Sequence, residues 1–369
     1  MLFHSSLRKE LARSFGATLV VLATIVMTIM LIRTLGQASR GSVNPSEVML
    51  VMGFTMLGHL PTLLTLSLFI AIVATLSRMY ADSEMVIWFS GGRGLTAFLV
   101  PLLRFAWPVL LAIAVLSLVV WPWTQQQTLE LRQRYQQRGD IERIAPGQFQ
   151  ESSGGKRVFF IDKDTPDDKS GSNVFISSME RGKESIVSAR SGRIESVKGE
   201  RFLMLNNGQR LENDPSGQAE LKISEFEEYG TLVDKDVLAP RDAVPVRAQS
   251  TLTLLRERSA PQLGEFAWRL GILLAAFNFV VIALAVSSVN PRAGRSGNLL
   301  FALFAFMTYY NLLNVAQSWI GAARVSLAVL VPAFHGAVLA LALLWLAMRH
   351  NNLTPGLLWR RRAGAERTA

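Results

Sequence analysis

Cysteine is absent, and histidine is nearly so: His4, His59, His335 and His350 are the only four in 369 residues. Without thiols there is no disulfide framework, no thiolate metal site and no cysteine nucleophile. Four scattered histidines build neither a histidine metal cage nor a Ser/His/Asp set. The sequence contains no G-x-x-x-x-G-K followed by Ser or Thr; Gly154-Gly-Lys156 lacks the upstream glycine and the following hydroxyl residue. A P-loop ATPase is therefore excluded, and no H-E-x-x-H zinc motif occurs either. No cofactor is expected. Charge is also scarce, at 18% of residues, where a soluble domain carries about 25%. Acids are lacking from the long apolar runs, which argues against a carboxylate proton relay.

What the chain has instead is apolar residues, half of the total. That excludes disorder, and glycine without a period excludes a collagen-like repeat. The net charge of +10 is unevenly placed. Residues 122–258 hold 21 Lys+Arg against 22 Asp+Glu, and the remainder 17 against 6. The balanced middle is no nucleic-acid surface, and the basic excess lies on the hydrophobic parts, where it reads as membrane topology.

A helix needs about 20 apolar residues to cross roughly 30 Å of hydrocarbon. Six stretches qualify: Phe15–Leu35, Val48–Leu76, Thr96–Trp121, Phe266–Val289, Leu299–Ile320 and Leu327–Met348. Pro61 lies inside the second and, lacking an N–H, is expected to kink or divide it. The expectation is an interfacial or tilted piece, capped by Asn44-Pro-Ser-Glu47, followed by a span from about Leu60. With the N-terminus inside, the cytoplasmic side gathers twelve basic residues, among them Arg8, Lys9, Arg13, Arg78, Arg93 and Arg360-Arg361-Arg362. The outer side has three, Arg33, Arg40 and Arg324. The positive-inside bias then puts both termini in the cytoplasm and the large middle domain outside. The first apolar run exceeds the usual 7–15 residues of a signal peptide core, so it reads as a retained span.

The middle changes to period two. Val158–Ile161, Val174–Ile176, Ile186-Val187, Phe202–Leu205 and Leu221–Ile223 are β-like runs. Turn signals separate them: Thr165–Asp168, Arg181-Gly182, Lys198-Gly199, Asn207-Gly208 and Asp214–Gly217. Strands at this spacing predict an all-β sandwich or jelly roll. Gln125–Arg138 is polar and helix-prone and is expected to continue the third span outward, and Leu238–Thr253 to serve as a return linker. A long strand edge there can either accept a partner's strand or be blunted and solvated. The fold class is thus an α-helical membrane protein with six transmembrane helices and an inserted all-β, jelly-roll-like domain. Its halves are residues 1–121 and 261–369, with the β domain over 122–260.

Several segments in order resemble the LptF/LptG permease family of the lipopolysaccharide export ABC transporter. They are Leu60-Pro61, Leu66-Ser-Leu-Phe69, Thr75-Leu-Ser-Arg-Met-Tyr80, Ser83-Glu-Met85, Gly91-Gly92, Pro146-Gly-Gln-Phe149, Val158–Ile161, Leu205-Asn-Asn-Gly208 and Ser288–Arg295. The Asn290-Pro-Arg loop and Gly147-Gln-Phe-Gln150 favour its LptF branch. The resemblance implies an LptG-type permease as pair, an LptB-type ATPase dimer, an LptC-type single-span protein and a periplasmic LptA-type bridge. It implies a substrate, lipopolysaccharide, taken from the inner membrane and passed towards the outer membrane, with ATP hydrolysed on a separate subunit. A permease or scaffold of another envelope-lipid or lipoprotein ABC system is the alternative. Such proteins typically have four spans with the large domain after the first, whereas three spans precede it here. A membrane enzyme would need a cluster of acids or histidines at one interface.

Three sets of residues stand out beside this reading. Ser77–Gly94 is helical in pattern, with Asp82 and Glu84 next to Met85, Val86, Trp88 and Phe89. A short helix of this kind docks in a partner's groove or rests on headgroups. The resemblance makes it a coupling helix of about 78–92, with Glu84, Asp82 and Met85 meeting the ATPase. Arg33, near the outer end of the first span, either snorkels or binds phosphate. The resemblance favours lipopolysaccharide phosphate, with Arg324 and Arg40 as further candidates. Asn311, Asn314 and Gln317 recur at i, i+3 and i+6 on one helix face, either bonding across helices or lining a cavity. His59 and His335 read as hydrogen-bonded bundle residues.

Overall fold

A computed structural model describes residues 2–39, 43, 45–137, 149–151, 157–160, 162, 170–180, 183–197, 200–213, 221–234, 244–287 and 294–351. The chain divides into two compact units, one of Met1–Met30, Gly53–Gln126 and Val244–Ala369, the other of Leu31–Met52 and Gln127–Ala243.

The helices are α1 (Leu2–Ser39), α2 (Val48–Ala81), α3 (Glu84–Ser90), α4 (Leu99–Val115), α5 (Trp121–Gln137), α6 (Thr251–Glu257), α7 (Ala260–Val286), α8 (Gly294–Gly321) and α9 (Leu327–His350). A π-helical turn, Leu116–Val120, joins α4 to α5, so the third span runs on continuously to Gln137 as its composition suggested. Six helical stretches are long and apolar enough to cross a membrane. Among them α2 and α7 form the centre, 67% buried, while α1, α8 and α9 present most of their apolar surface outward. Phe69 of α2 stacks on Phe279 of α7 at 4.5 Å between ring centroids, and Phe279 on Phe306 of α8 at 5.4 Å. Leu68, Ile72 and Leu76, on the same stretch of α2, are fully buried in this core.

The expected break at Pro61 does not occur: Val48–Ala81 is one uninterrupted helix. Pro108 and Pro332 likewise sit inside α4 and α9. A mid-helix proline costs about 3 kcal/mol in water, but hydrocarbon offers the freed backbone no alternative partner and packed neighbours hold the axis. A 3₁₀ turn over Pro45–Glu47 precedes α2, and Asn44 of the expected cap lies outside the described residues. Close approach of α7 and α8 depends on Gly264, where a Cβ would lie 2.8 Å from the Gln317 carbonyl oxygen and 3.0 Å from the Gly321 Cα.

The second unit carries a six-stranded sheet, β1 (Gln150–Glu151), β2 (Arg157–Phe160), β3 (Ser170–Glu180), β4 (Lys183–Val197), β5 (Glu200–Asn213) and β6 (Leu221–Asp234). Every strand pairs antiparallel with its neighbour in sequence. This meander realises the inserted all-β domain. Phe159, Val174, Ile176, Val187, Ala189, Leu203 and Leu205 bury one face, with Phe226 and Tyr229 packed at its margin.

Asn207-Gly208, expected as a turn, lies in mid-strand. Asn207 does adopt a left-handed φ of 51°, as the turn signal implied, and so does Asn173 on β3, at 49°. The ladder pairs Ser172 with Ser191 and Val174 with Ala189, then Ser191 with Asn206 and Ala189 with Gly208, then Asn206 with Glu228 and Gly208 with Phe226. The row Asn173–Arg190–Asn207–Glu227 therefore drops out of three consecutive strand pairs without a change of register. The result is a crease that lines an open groove of about 620 Å³. The turn signals at 165–168, 181–182, 198–199 and 214–217 lie outside the described residues, as do residues 235–243 of the return linker.

Candidate functional site

At the turn between α2 and α3 one arginine holds three carboxylates. Arg78 pairs through Nε and Nη2 with both oxygens of Glu10 on α1. Its Nη1 donates to Asp82 Oδ2 at 3.1 Å and to Glu84 Oε1 at 3.3 Å. Planar, bidentate geometry of this kind is peculiar to arginine. Ser83 makes the turn in the left-handed region, at φ 60°, and places Glu84 in the first turn of α3, where the helix dipole favours an acid. Gly91 and Gly92 end the helix, Gly92 at φ 77°.

The faces of α3 differ. Met85 is 1% exposed, inside the same core as Leu7, Leu11 and Leu76, and Trp88 packs against that core. Val86, Ile87 and Phe89 point outward, Val86 at 64% and Ile87 at 69% exposed. The helix is shorter than the expected 78–92 because Arg78–Ala81 belong to α2. Arg349, which sequence reasoning used only for topology, closes this end. It donates to the Ala285 and Ser287 carbonyls at 2.7 and 3.1 Å, satisfying the end of α7, and to the Tyr80 hydroxyl at 3.3 Å. Asn298 on α8 donates to Ser77 on α2 at 2.9 Å.

A buried ionic cluster near the start of α7 was missed from the sequence. Arg269 is 0% exposed and Glu265 3%. Arg269 Nε donates to Glu265 Oε1 at 3.1 Å, Nη1 to Thr251 at 2.8 Å, and Nη2 to the Arg247 and Gln249 carbonyls, both at 3.1 Å. Glu265 also accepts from Trp121 Nε1 at 3.0 Å and Gln317 Nε2 at 3.1 Å. The signal was present: an acid and a base four apart at the edge of an apolar run. A span that begins at Phe266 leaves the acid just outside, whereas α7 begins at Ala260 and takes it in.

Of the polar stripe on α8, Gln317 and Asn314 bond across to α7, Asn314 accepting from Trp268 Nε1 at 3.1 Å. Asn311 is exposed and donates to the Met307 carbonyl of its own helix. His335 and Tyr309 join at 2.8 Å, with Asn278 donating to the Tyr309 hydroxyl at 2.7 Å. His59 bonds the Thr55 carbonyl at 2.7 Å. Both histidines are thus hydrogen-bonded bundle residues. Arg33 is exposed on α1, and Arg324 is exposed in the turn after α8; Arg40 lies outside the described residues. No group of three or more His, Cys, Asp or Glu side chains suited to a metal occurs among the described residues.

The model of the family described as "Lipopolysaccharide export system permease LptF/LptG" matches residues 6–347. The chain belongs to the LptF/LptG permease family. The match takes in five candidate spans whole, the sixth as far as Ala347, and the inserted sheet. Among curated proteins the chain is similar to the "Lipopolysaccharide export system permease protein LptF" of Escherichia coli (strain K12) and of Shigella flexneri. Each is 25% identical over 318 residues, covering 84% of this chain and 85% of the relative. The α2–α3 turn and the helix-end contacts of Arg349 are therefore features of a multi-pass LptF/LptG permease.

Proposed function

We propose that this chain is the LptF-type permease subunit of an ABC transporter that draws lipopolysaccharide from the bacterial inner membrane. Energy comes from an LptB-type ATPase dimer, since the chain has no phosphate-cradling loop of its own. An LptG-type permease completes the membrane part. An LptC-type single-span protein and an LptA-type bridge take the substrate onward from the β domain. Both termini and α3 face the cytoplasm, and the sheet faces the periplasm.

The observation that carries this reading is α3. It is anchored by Met85 and by the Arg78–Glu84 pair, yet leaves Val86, Ile87 and Phe89 uncovered beside an acid. A seven-residue amphipathic helix of this kind suits a groove on a cytosolic partner. In this assignment Glu84 and Asp82 meet the ATPase, and Met85 holds the helix from beneath. At the opposite ends of the spans, Arg33, Arg324 and Arg40 bind the phosphates of the lipid headgroup, for which the guanidinium fork is suited. The long β6 offers a strand edge for the bridge, with Ile223 62% exposed on it.

Purification of the tagged chain in mild detergent tests the assignment. An ATPase, a second permease and a single-span β-domain protein are expected to accompany it. Glu84→Ala, which leaves Met85 in place, is expected to keep the chain folded and inserted but to lose the ATPase, a truncated charge contact costing about 2–5 kcal/mol. Full recovery of the ATPase with Glu84→Ala, or recovery of the chain without any of these partners, overturns it.

A further inference from the structure

The first turns of α1 and the last turns of α2 enclose an open cavity of about 630 Å³. Ser6, Lys9, Glu10, Arg13, Thr75 and Arg78 line it. On α1 these positions follow helical spacing, Ser6, Glu10, Arg13 and then Ala17 falling on one face. Three cationic side chains and one carboxylate line it; Arg78 is already engaged by that carboxylate, Glu10, and by Asp82 and Glu84, which leaves Lys9 and Arg13 to act on an occupant. Among the described residues, Lys9 and Arg13 make no ion pair.

Thr75 adds a second, independent sign. It is 2% exposed, and its hydroxyl has no hydrogen-bond partner among the described residues. A helical threonine ordinarily satisfies itself on the preceding turn. Thr65, on the same helix, does so at 2.8 Å to the Pro61 carbonyl, and Thr24 and Thr28 on α1 do so at 2.9 Å. Thr75, which also belongs to the lining of the cavity, makes no such bond. An unsatisfied buried hydroxyl is costly; Ser67 on the same helix shares this state, but only Thr75 of the two lies in the cavity lining, where a phosphate oxygen would meet it.

The cavity continues into apolar surface. Ala17 and Ala74 form its far wall. Beyond Ala17, Val20, Val21 and Ile25 follow at helical spacing, each at least 51% exposed. A phosphate held by Lys9, Arg13 and Thr75 therefore has a path along α1 for acyl chains. A soluble anion would have no use for that stripe.

We infer that this cavity binds the phosphate of an anionic phospholipid headgroup, with the acyl chains lying along Val20, Val21 and Ile25. In the orientation proposed above this is an inner-leaflet lipid, at the end of the molecule away from Arg33 and Arg324. The site touches Glu10 and Arg78, so an occupant there would bear on the residues that hold α3.

Native mass spectrometry of the full chain in detergent, titrated with phosphatidylglycerol or phosphatidylcholine, reads the site directly. One phosphatidylglycerol retained per chain is expected, with weaker retention of phosphatidylcholine. Loss of two charged contacts in Lys9→Gln/Arg13→Gln is expected to weaken phosphatidylglycerol by on the order of tenfold or more. Thr75→Val replaces the hydroxyl by an isosteric methyl; it is expected to leave the lipid-free chain at least as heat-stable and still to lower retention several-fold. Unchanged phosphatidylglycerol retention in both variants overturns the inference. So does equal retention of the two lipids, or binding of inorganic phosphate with no retained lipid, which would make it a free-phosphate site. Because lipid retention is read without ATPase or lipopolysaccharide, its failure is separable from failure of the transport assignment.

Discussion

Arg269 is the most deeply buried charge among the described residues, and nearly every donor it has is spent. Its guanidinium meets one carboxylate, one hydroxyl and two carbonyls. Glu265 divides its oxygens among Arg269, Trp121 and Gln317, drawing three spans and the α6 segment to one point. A buried pair of this sort contributes little net stability over an apolar substitute, yet breaking it strands a charge. Arg269→Met or Glu265→Leu alone is therefore expected to destabilise the chain by about 3–5 kcal/mol. The double Glu265→Leu/Arg269→Met should cost much less than the two together. Thermal unfolding of the detergent-solubilised variants measures this. Strictly additive losses would show that the two residues act independently and that the cluster is not a unit. Arg78 follows a different rule, being partly solvated with three acids around it; losing one of them leaves two, and its role is to aim α3 rather than to hold the core.

At the scale of elements, periodicity carried most of the architecture. Long apolar runs and period-two segments are set by burial, and burial leaves a mark at every second or every third to fourth residue. The continuation of the third span into α5 was legible for the same reason, since Gln125–Arg138 has helix formers and no breaker. Two local signals misled because tertiary structure outweighed them. Pro61 is a breaker in water but sits in a helix two thirds buried by its neighbours. Asn207-Gly208 has turn chemistry, and Asn207 does take the turn conformation, yet the ladder resumes in register on both sides. At the site, Glu84 and its exposed apolar neighbours could be read from spacing, whereas Glu10 could not, because it reaches Arg78 across 68 residues of sequence. The crease makes its own forecast. Asn207→Gly should be neutral or slightly stabilising, while Asn207→Val should cost roughly 1–3 kcal/mol, as a β-branched side chain resists a left-handed φ. Gly208→Ala should cost a similar amount, about 1–3 kcal/mol, because its Cβ would collide with the Ser188 carbonyl and the Phe226 ring. Denaturation followed by the β-sheet signal of the full chain separates these. Equal stability of Asn207→Gly and Asn207→Val would mean that the crease is not held by this residue's backbone.

For the molecule as a whole, the arrangement of charge makes a claim that no internal contact can supply. In the proposed topology the short segments flanking the spans carry twelve basic residues on one side and three on the other, and insertion favours the basic side inward by a bias that acts on short loops. The same orientation is required if α3 is to meet a cytosolic ATPase and the sheet an envelope bridge. The complete lack of cysteine makes this testable without prior removal of native thiols. Three exposed positions serve as reporters: Ser90 at the end of α3, Ser224 on β6 and Ala322 after α8. In intact spheroplasts, a membrane-impermeant maleimide is expected to label Ser224→Cys and Ala322→Cys, but Ser90→Cys only after the membrane is opened. Each reporter is solvent-facing, so failure to label cannot be charged to burial once the opened sample reacts. Labelling of Ser90→Cys in intact spheroplasts, with Ser224→Cys protected, would invert the topology. It would remove α3 from any cytosolic ATPase, and Arg33 and Arg324 from the outer headgroup layer, in a single result.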